Sequence, residues 1–219
     1  TRLGEISFHP EEMYEVRQLT TPNHFAYLKI SEGCNHSCAF CAIPNIRGKH
    51  RSRKIEDILA DAHTLAEQGV KELLLVSQDT SYYGKDIYQK SMIIELLSRI
   101  AEEKLFTWIR PLYWYPSNFP IEFVHLMNKY DSIAPYLDMP IQHASDNVLG
   151  LMRRAEKNQQ LLKLYQKIRE IKPDISLRTT FIVGHPGETK EDFEQLKEFI
   201  KTVQFDRVGA FVYSDEEGT

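Results

Sequence analysis

Short apolar runs alternate along this chain with amphipathic helical stretches, and that alternation narrows the possible folds more than any other feature. Strand-like runs fall at residues 25–31, 72–77, 107–113, 135–141, 176–184 and 207–213. Each is bounded by turn residues and is too apolar for a hairpin with one face in water, so strands covered on both faces are expected. Between them, Ile55, Ile58, Leu59, Ala62, Leu65 and Ala66 recur at helical spacing, with Gly69 as the stop. Residues 93–100, 121–127 and 161–171 repeat the pattern, the last ended by Pro173. A final helix opens at Thr189, an N-cap with Asp192 three residues on, and is expected to bury Phe193, Leu196, Phe199, Ile200 and Val203. Six strands alternating with five helices predict a parallel sheet with right-handed crossovers. No Gly-x-Gly-x-x-Gly follows the first strand, which disfavours a dinucleotide-binding fold. The expected α/β architecture is a curved, partial (β/α)6 barrel, an incomplete TIM-like barrel with its chemistry at the C-terminal ends of the strands.

Directly after the first strand comes Cys34-Asn35-His36-Ser37-Cys38-Ala39-Phe40-Cys41, which holds all 3 cysteines of the chain. Three thiolates on one loop suit a soft metal centre, but leave a tetrahedral or cubane site one ligand short. That open position is where a substrate or cofactor would bind metal. A disulfide would leave one cysteine odd. A structural zinc site would need His36 or His50 as its fourth ligand, and no second Cys-x2-Cys knuckle exists to support it. An electron-transfer cluster would need a fourth cysteine. The reading that remains is an iron–sulfur cluster with one free iron.

The bulk numbers set outer limits. A chain of 219 residues accommodates one large α/β domain or two small ones. Its formal net charge of −4 argues against a general nucleic-acid coat, though not against a local basic patch. No apolar run approaches the ~20 residues that span a bilayer. An odd, clustered cysteine set suits a reducing compartment, so a cytoplasmic location is expected. Residues 1–24 read as a lead-in segment with a short helical stretch around residues 11–18, and residues 25–219 as one domain. The chain starts at Thr1 and stops at Asp215-Glu216-Glu217-Gly218-Thr219, which reads as a domain from a longer protein.

The cysteine loop resembles that of the radical S-adenosylmethionine (SAM) superfamily, whose motif is Cys-x3-Cys-x2-Cys after the first strand of a partial barrel. The resemblance implies a 4Fe-4S cluster held by Cys34, Cys38 and Cys41, whose free iron takes the amino and carboxylate groups of SAM. Reductive cleavage of SAM to a 5′-deoxyadenosyl radical is the implied chemistry. Gly33-Cys34-Asn35, Cys41-Ala42-Ile43-Pro44-Asn45-Ile46-Arg47-Gly48 and Arg51-Ser52-Arg53 are similar to the methylthiotransferase family. Four further segments resemble its RimO-like branch, which modifies an aspartate of a small-subunit ribosomal protein. They are Tyr27-Leu28-Lys29-Ile30-Ser31-Glu32-Gly33-Cys34, Ser77-Gln78-Asp79-Thr80, Tyr136-Leu137-Asp138-Met139-Pro140-Ile141-Gln142-His143 and Leu177-Arg178-Thr179-Thr180-Phe181-Ile182-Val183-Gly184. The MiaB-like branch, which modifies tRNA adenosine, is the alternative, and a zinc-stabilised RNA-binding module is the non-enzymatic one. Two segments depart from the family pattern: Arg153-Arg154-Ala155 stands where Arg-Arg-Gly is usual, and Tyr213-Ser214-Asp215 where Tyr-Ser-Pro is usual. The family's N-terminal domain with three further cysteines and its C-terminal TRAM domain are absent from this sequence.

The same resemblance implies roles. Phe40 would lie near the adenine, or simply in the core. Ser77, Gln78 and Asp79 would take the methionine ammonium of SAM, unless Asp79 only orders its loop. Arg178 would pair either with SAM's carboxylate or with Glu32 or Asp138. Gln142 would face the barrel mouth, Gly184 would let backbone approach the adenine or ribose, and Phe211 and Tyr213 would flank the opening. Arg47, Lys49, Arg51, Arg53 and Lys54 form either a solvated face or a contact for RNA. Expected partners are a ribosomal protein or subunit, with tRNA as the alternative, and an electron donor such as flavodoxin or ferredoxin.

Overall fold

A computed structural model describes residues 19–217 and 219. The helical stretch expected at residues 11–18 lies outside the described residues.

In chain order the strands are β1 (Phe25–Lys29), β2 (Ser31–Glu32), β3 (Arg51–Ser52), β4 (Glu72–Val76), β5 (Trp108–Pro111), β6 (Tyr136–Asp138), β7 (Ser176–Val183) and β8 (Arg207–Val212). The helices are α1 (Ile43–Arg47), α2 (Ile55–Glu67), α3 (Lys85–Tyr88), α4 (Ile93–Glu102), α5 (Glu122–Lys129), α6 (Asp146–Leu151), α7 (Asn158–Ile171) and α8 (Lys190–Val203). All six expected strands and five expected helices are present. The short α1, α3 and α6 are additions, too brief to show a helical period.

Parallel pairing runs β1–β4–β5 in one sheet and β6–β7–β8 in another. The two continue one arc, because Ile109 bridges Ile133 in parallel and the Trp114 N–H donates to the Asp138 carbonyl at 3.0 Å. The single expected sheet is therefore interrupted between β5 and β6, which are joined by one isolated bridge rather than a ladder. Among the described residues no strand pairs β1 with β8, so the arc is open there, as expected of a partial barrel. No helix among the described residues is long and apolar enough to cross a membrane.

Helices cover the outer face of the arc. Ala26, Leu28 and Ile30 from the first strand, and Leu73 and Leu75 from β4, are fully buried against Ile58, Leu65, Leu96 and Ile100. Each leucine or isoleucine among them contributes ~2 kcal/mol by leaving water. α2 carries Glu56 and Asp57 in its first turn, where the helix dipole favours them, and Gly69 at φ +89° ends it. α8 begins with the expected Thr189–Asp192 capping box, but Phe193 is 40% exposed rather than buried. Asp192, Leu196, Phe199 and Val203 define the buried stripe, Ile200 is only partly buried at its edge, and Phe193 falls outside it.

The inner face of the arc holds the polar positions. Along β7, Leu177, Thr179 and Phe181 are buried in the outer layer, so Arg178 and Thr180 face the lumen by the two-residue period of a strand.

Candidate active site

The cysteine loop is fixed at both ends before any metal is considered. β2 pairs antiparallel with β3, closing residues 33–50 into one loop. The Cys34 N–H donates to the Gly48 carbonyl at 3.1 Å, the His50 N–H to Asn35 Oδ1 at 3.1 Å, and the Ala39 N–H to the Met152 carbonyl at 3.0 Å. Gly33 makes the approach possible: it sits at φ +78°, and a Cβ there would lie 2.2 Å from the Lys49 carbonyl oxygen.

All three cysteines line one cavity of about 540 Å³ at the C-terminal mouth of the arc. Phe40, Ser77, Gln78, Gln142, Arg178 and Phe211 share its wall, so six of the nine other residues expected at the site converge there. Ser77 is buried with its hydroxyl 2.5 Å from that of Ser31, and the side-chain oxygen Oε1 of Gln78 is buried without a hydrogen-bond partner. Arg178 donates to the buried Asp138 carboxylate at 2.5 Å while its side chain stays 36% exposed to the cavity. Burial lowers the Arg178 pKa and the Asp138 hydrogen bond and charge raise it, the balance leaving it above its ordinary value. Gln142 holds a left-handed φ of +70° while its backbone bridges Phe181.

Asp79 and Gly184 are not on this wall. The Asp79 carboxylate is buried, caps the turn at Thr80–Tyr82 by accepting from the Ser81 N–H at 2.9 Å, and meets His36 Nε2 at 2.7 Å. It orders its own loop and the cysteine loop. Gly184, at φ +77°, forms the turn after β7, where its N–H donates to Glu188 at 2.6 Å. Tyr213 is likewise off the wall, edge-on to His185. Of the candidate fourth zinc ligands, His36 is held by Asp79, and His50 Nε2 lies 3.1 Å from the Ser52 hydroxyl.

The basic run divides. Arg53 pairs with Asp61 at 2.9 Å and Arg47 with Glu32 at 3.5 Å, whereas Lys49, Arg51 and Lys54 are exposed. Ala155 needs no glycine conformation, because the turn takes its left-handed residue at Arg153, φ +55°.

Sequence reasoning missed the aromatic and cationic side of the cavity: Tyr113, Trp114, Tyr115 and Arg154. The signal for the first three was their place just past β5, where barrel chemistry gathers. Tyr115 stacks on His36 with centroids 3.7 Å apart and planes 7° apart, and its hydroxyl lies 4.0 Å from Cys38 Sγ. The Arg154 guanidinium lies 4.3 Å from the same ring centroid, with Nε 3.4 Å from the buried Glu156 carboxylate.

Burial pushes the Cys34 and Cys38 thiols above their ordinary value, and at Cys38 the Arg154 charge pulls the other way. Metal-free, they are therefore protonated at neutral pH, and binding metal displaces the protons. Among the described residues no three His, Cys, Asp or Glu side chains converge as a single metal ion requires. A multi-iron cluster has no such need, since each iron takes its own thiolate. Three thiols spread on the wall of a roomy cavity beside an unpartnered amide oxygen fit a cluster and a ligand with hydrogens to donate.

The Radical SAM superfamily model matches residues 28–200. The chain belongs to the radical SAM superfamily. Among its radical SAM relatives is the ribosomal protein uS12 methylthiotransferase RimO of Bacteroides thetaiotaomicron, 51% identical over 209 residues, 95% of this chain and 48% of that protein. The RimO of Clostridioides difficile is 52% identical over 203 residues, 93% of this chain and 46% of that protein. The chain thus spans about half the length of the curated relatives it matches. Solved radical SAM structures share the fold. The methyltransferase TsrM from Kitasatospora setae superposes with a TM-score of 0.69 at 17% identity, covering 86% of this chain and 34% of that one. Coproporphyrinogen III oxidase (HemN) from Escherichia coli gives 0.61 at 21% identity, covering 87% and 44%.

Proposed function

We propose that this chain is the catalytic region of a RimO-type methylthiotransferase, which adds a methylthio group to an aspartate of ribosomal protein uS12. The observation that carries the proposal is the convergence of three thiols, Gln78 and Arg178 on one cavity in a chain about half identical to RimO proteins along nearly its whole length. Cys34, Cys38 and Cys41 would hold a 4Fe-4S cluster, which together with SAM supplies one-electron reductive cleavage and a hydrogen-abstracting radical.

The chain's own residues prepare that site. Gln78 Oε1, unpartnered on the cavity wall, accepts from the ammonium of SAM, an acceptor role for which Asp79, off the wall and engaged by His36 and the Ser81 N–H, is not placed. Asp138 holds one arm of Arg178, which leaves its remaining N–H groups for a carboxylate. Phe40 gives the adenine an apolar wall, and the exposed Phe211 and Tyr113 frame the entrance for the protein target. Exposed Lys49, Arg51 and Lys54, beside the cysteine loop, suit the RNA that surrounds a ribosomal substrate. A flavodoxin or ferredoxin would deliver the electron, in the cytoplasm.

Anaerobic reconstitution with iron and sulfide tests this directly. The chain is expected to take up one cluster and cleave SAM under dithionite, and Cys38→Ala to lose both. A colourless zinc protein would refute the radical reading. Because the chain spans half of its relatives, it is expected to stop short of methylthiolation. Full-length protein supplied separately with uS12 and with tRNA distinguishes the two family branches, and product on tRNA alone would overturn the uS12 assignment.

A further inference from the structure

Tyr115 is held more tightly than cavity lining requires. His36 lies parallel to its ring at 3.7 Å, and the Arg154 guanidinium lies 4.3 Å from the ring centroid. Two groups that close to one centroid cannot share a face, so the ring is clamped between them. Each jaw is itself anchored. His36 Nε2 meets the buried Asp79 at 2.7 Å, and Arg154 sits beside the buried Glu156, which accepts from the Ser117 hydroxyl at 2.6 Å and the Ser117 N–H at 3.2 Å. Ser117 belongs to the turn right after Tyr115, so the clamp closes on itself.

The clamp fixes one polar atom, the Tyr115 hydroxyl, 4.0 Å from Cys38 Sγ. Between a free thiol and a phenol either atom could donate. A cysteine that ligates iron has no proton, so there the phenol must be the donor. Hydrogen bonds to the sulfurs of an iron–sulfur cluster, and positive charge near them, favour the reduced, more negative state.

We propose that Tyr115, clamped between His36 and Arg154, is a positioning residue that raises the reduction potential of the cluster by donating a hydrogen bond to the Cys38 thiolate. This rests on the cluster assignment made above. The phenol neither binds iron nor transfers an electron; an external low-potential donor reduces the cluster by one electron, and the hydrogen bond sets how readily that happens. Arg154 contributes twice, by holding the ring and by placing its charge near Cys38.

Tyr115→Phe is the deciding variant, because it keeps the ring in its clamp and removes only the hydroxyl. In a redox titration followed by electron paramagnetic resonance without SAM, Tyr115→Phe is expected to shift the midpoint to more negative potential with iron content unchanged. Arg154→Gln is expected to shift it in the same direction, and Arg154→Lys to recover part of the shift. Tyr165→Phe, whose buried hydroxyl faces Thr179 and lies off the cavity wall, serves as control and is expected to leave the midpoint unmoved. A Tyr115→Phe midpoint equal to that of the unmodified chain overturns the proposal alone. An unmodified chain that assembles no cluster overturns the cluster assignment and the proposal together.

Discussion

Two glycines of this chain share a backbone conformation but not their surroundings, and replacing each by alanine separates strain from collision. Gly33 stands at φ +78° and Gly69 at φ +89°. An L-residue in that region costs about 1 kcal/mol, whatever the space around it. Around Gly69 a Cβ meets nothing within 4 Å, so Gly69→Ala should cost about that and no more. At Gly33 the Cβ would lie 2.2 Å from the Lys49 carbonyl oxygen and 2.6 Å from that of Gly48, and both must move out past 3.0 Å. The Gly48 oxygen accepts the Cys34 N–H at 3.1 Å, and losing that bond in a half-buried loop adds about 1–2 kcal/mol. Gly33→Ala should therefore cost about 2–3 kcal/mol in all. The difference of about 1–2 kcal/mol corresponds to roughly 5- to 30-fold in the folding equilibrium. Urea unfolding of the metal-free chain measures both variants, and iron content after reconstitution reports whether Cys34 still reaches the cluster. If Gly33→Ala unfolds no more easily than Gly69→Ala, the backbone packing assigned to the cysteine loop is wrong.

Three further outcomes follow from the same contacts. Asp138→Asn removes the charge that holds Arg178 at 2.5 Å and should cost about 1 kcal/mol, because the 36% exposed guanidinium keeps its access to water, with SAM binding weakened in equilibrium dialysis as Arg178 loses its position. Burial alone would raise the Asp192 carboxyl, but hydrogen bonds from Ser145, Thr189 and Asn147 outweigh it and bring it from 3.8 down to about 2. A depressed folded-state pKa gives stability that is complete above 3.8 and disappears as pH falls through about 2, so Asp192→Asn should lose that part of the acid dependence in unfolding measured from pH 6 to 2. Phe199, 2% exposed, should cost about 3–5 kcal/mol as alanine, whereas Phe193, 40% exposed on the same helix, should cost under about 1 kcal/mol by thermal denaturation.

What the sequence determined by itself was everything encoded at short range. The alternation of strands and helices, the Thr189–Asp192 capping box and the Gly69 stop all depend on neighbours within a few positions, and each is where the pattern put it. The cysteine loop was legible for the same reason, since three ligands within eight residues need no tertiary structure to be near one another. Tertiary structure decided what meets across long separations. It buried Asp79 under His36, where it orders its loop, and it placed the Gly184 turn off the cavity wall, away from the contact the resemblance implies. It interrupted the sheet between β5 and β6, leaving one isolated bridge between them. It also brought Tyr115 from 77 positions away onto Cys38, and Arg154 onto Tyr115. No local period marks such residues, because their meeting depends on the angle at which helices pack on the arc and on how far the arc closes. The three thiols were therefore readable in the chain, whereas the surroundings that would set the cluster's potential exist only once the barrel has formed.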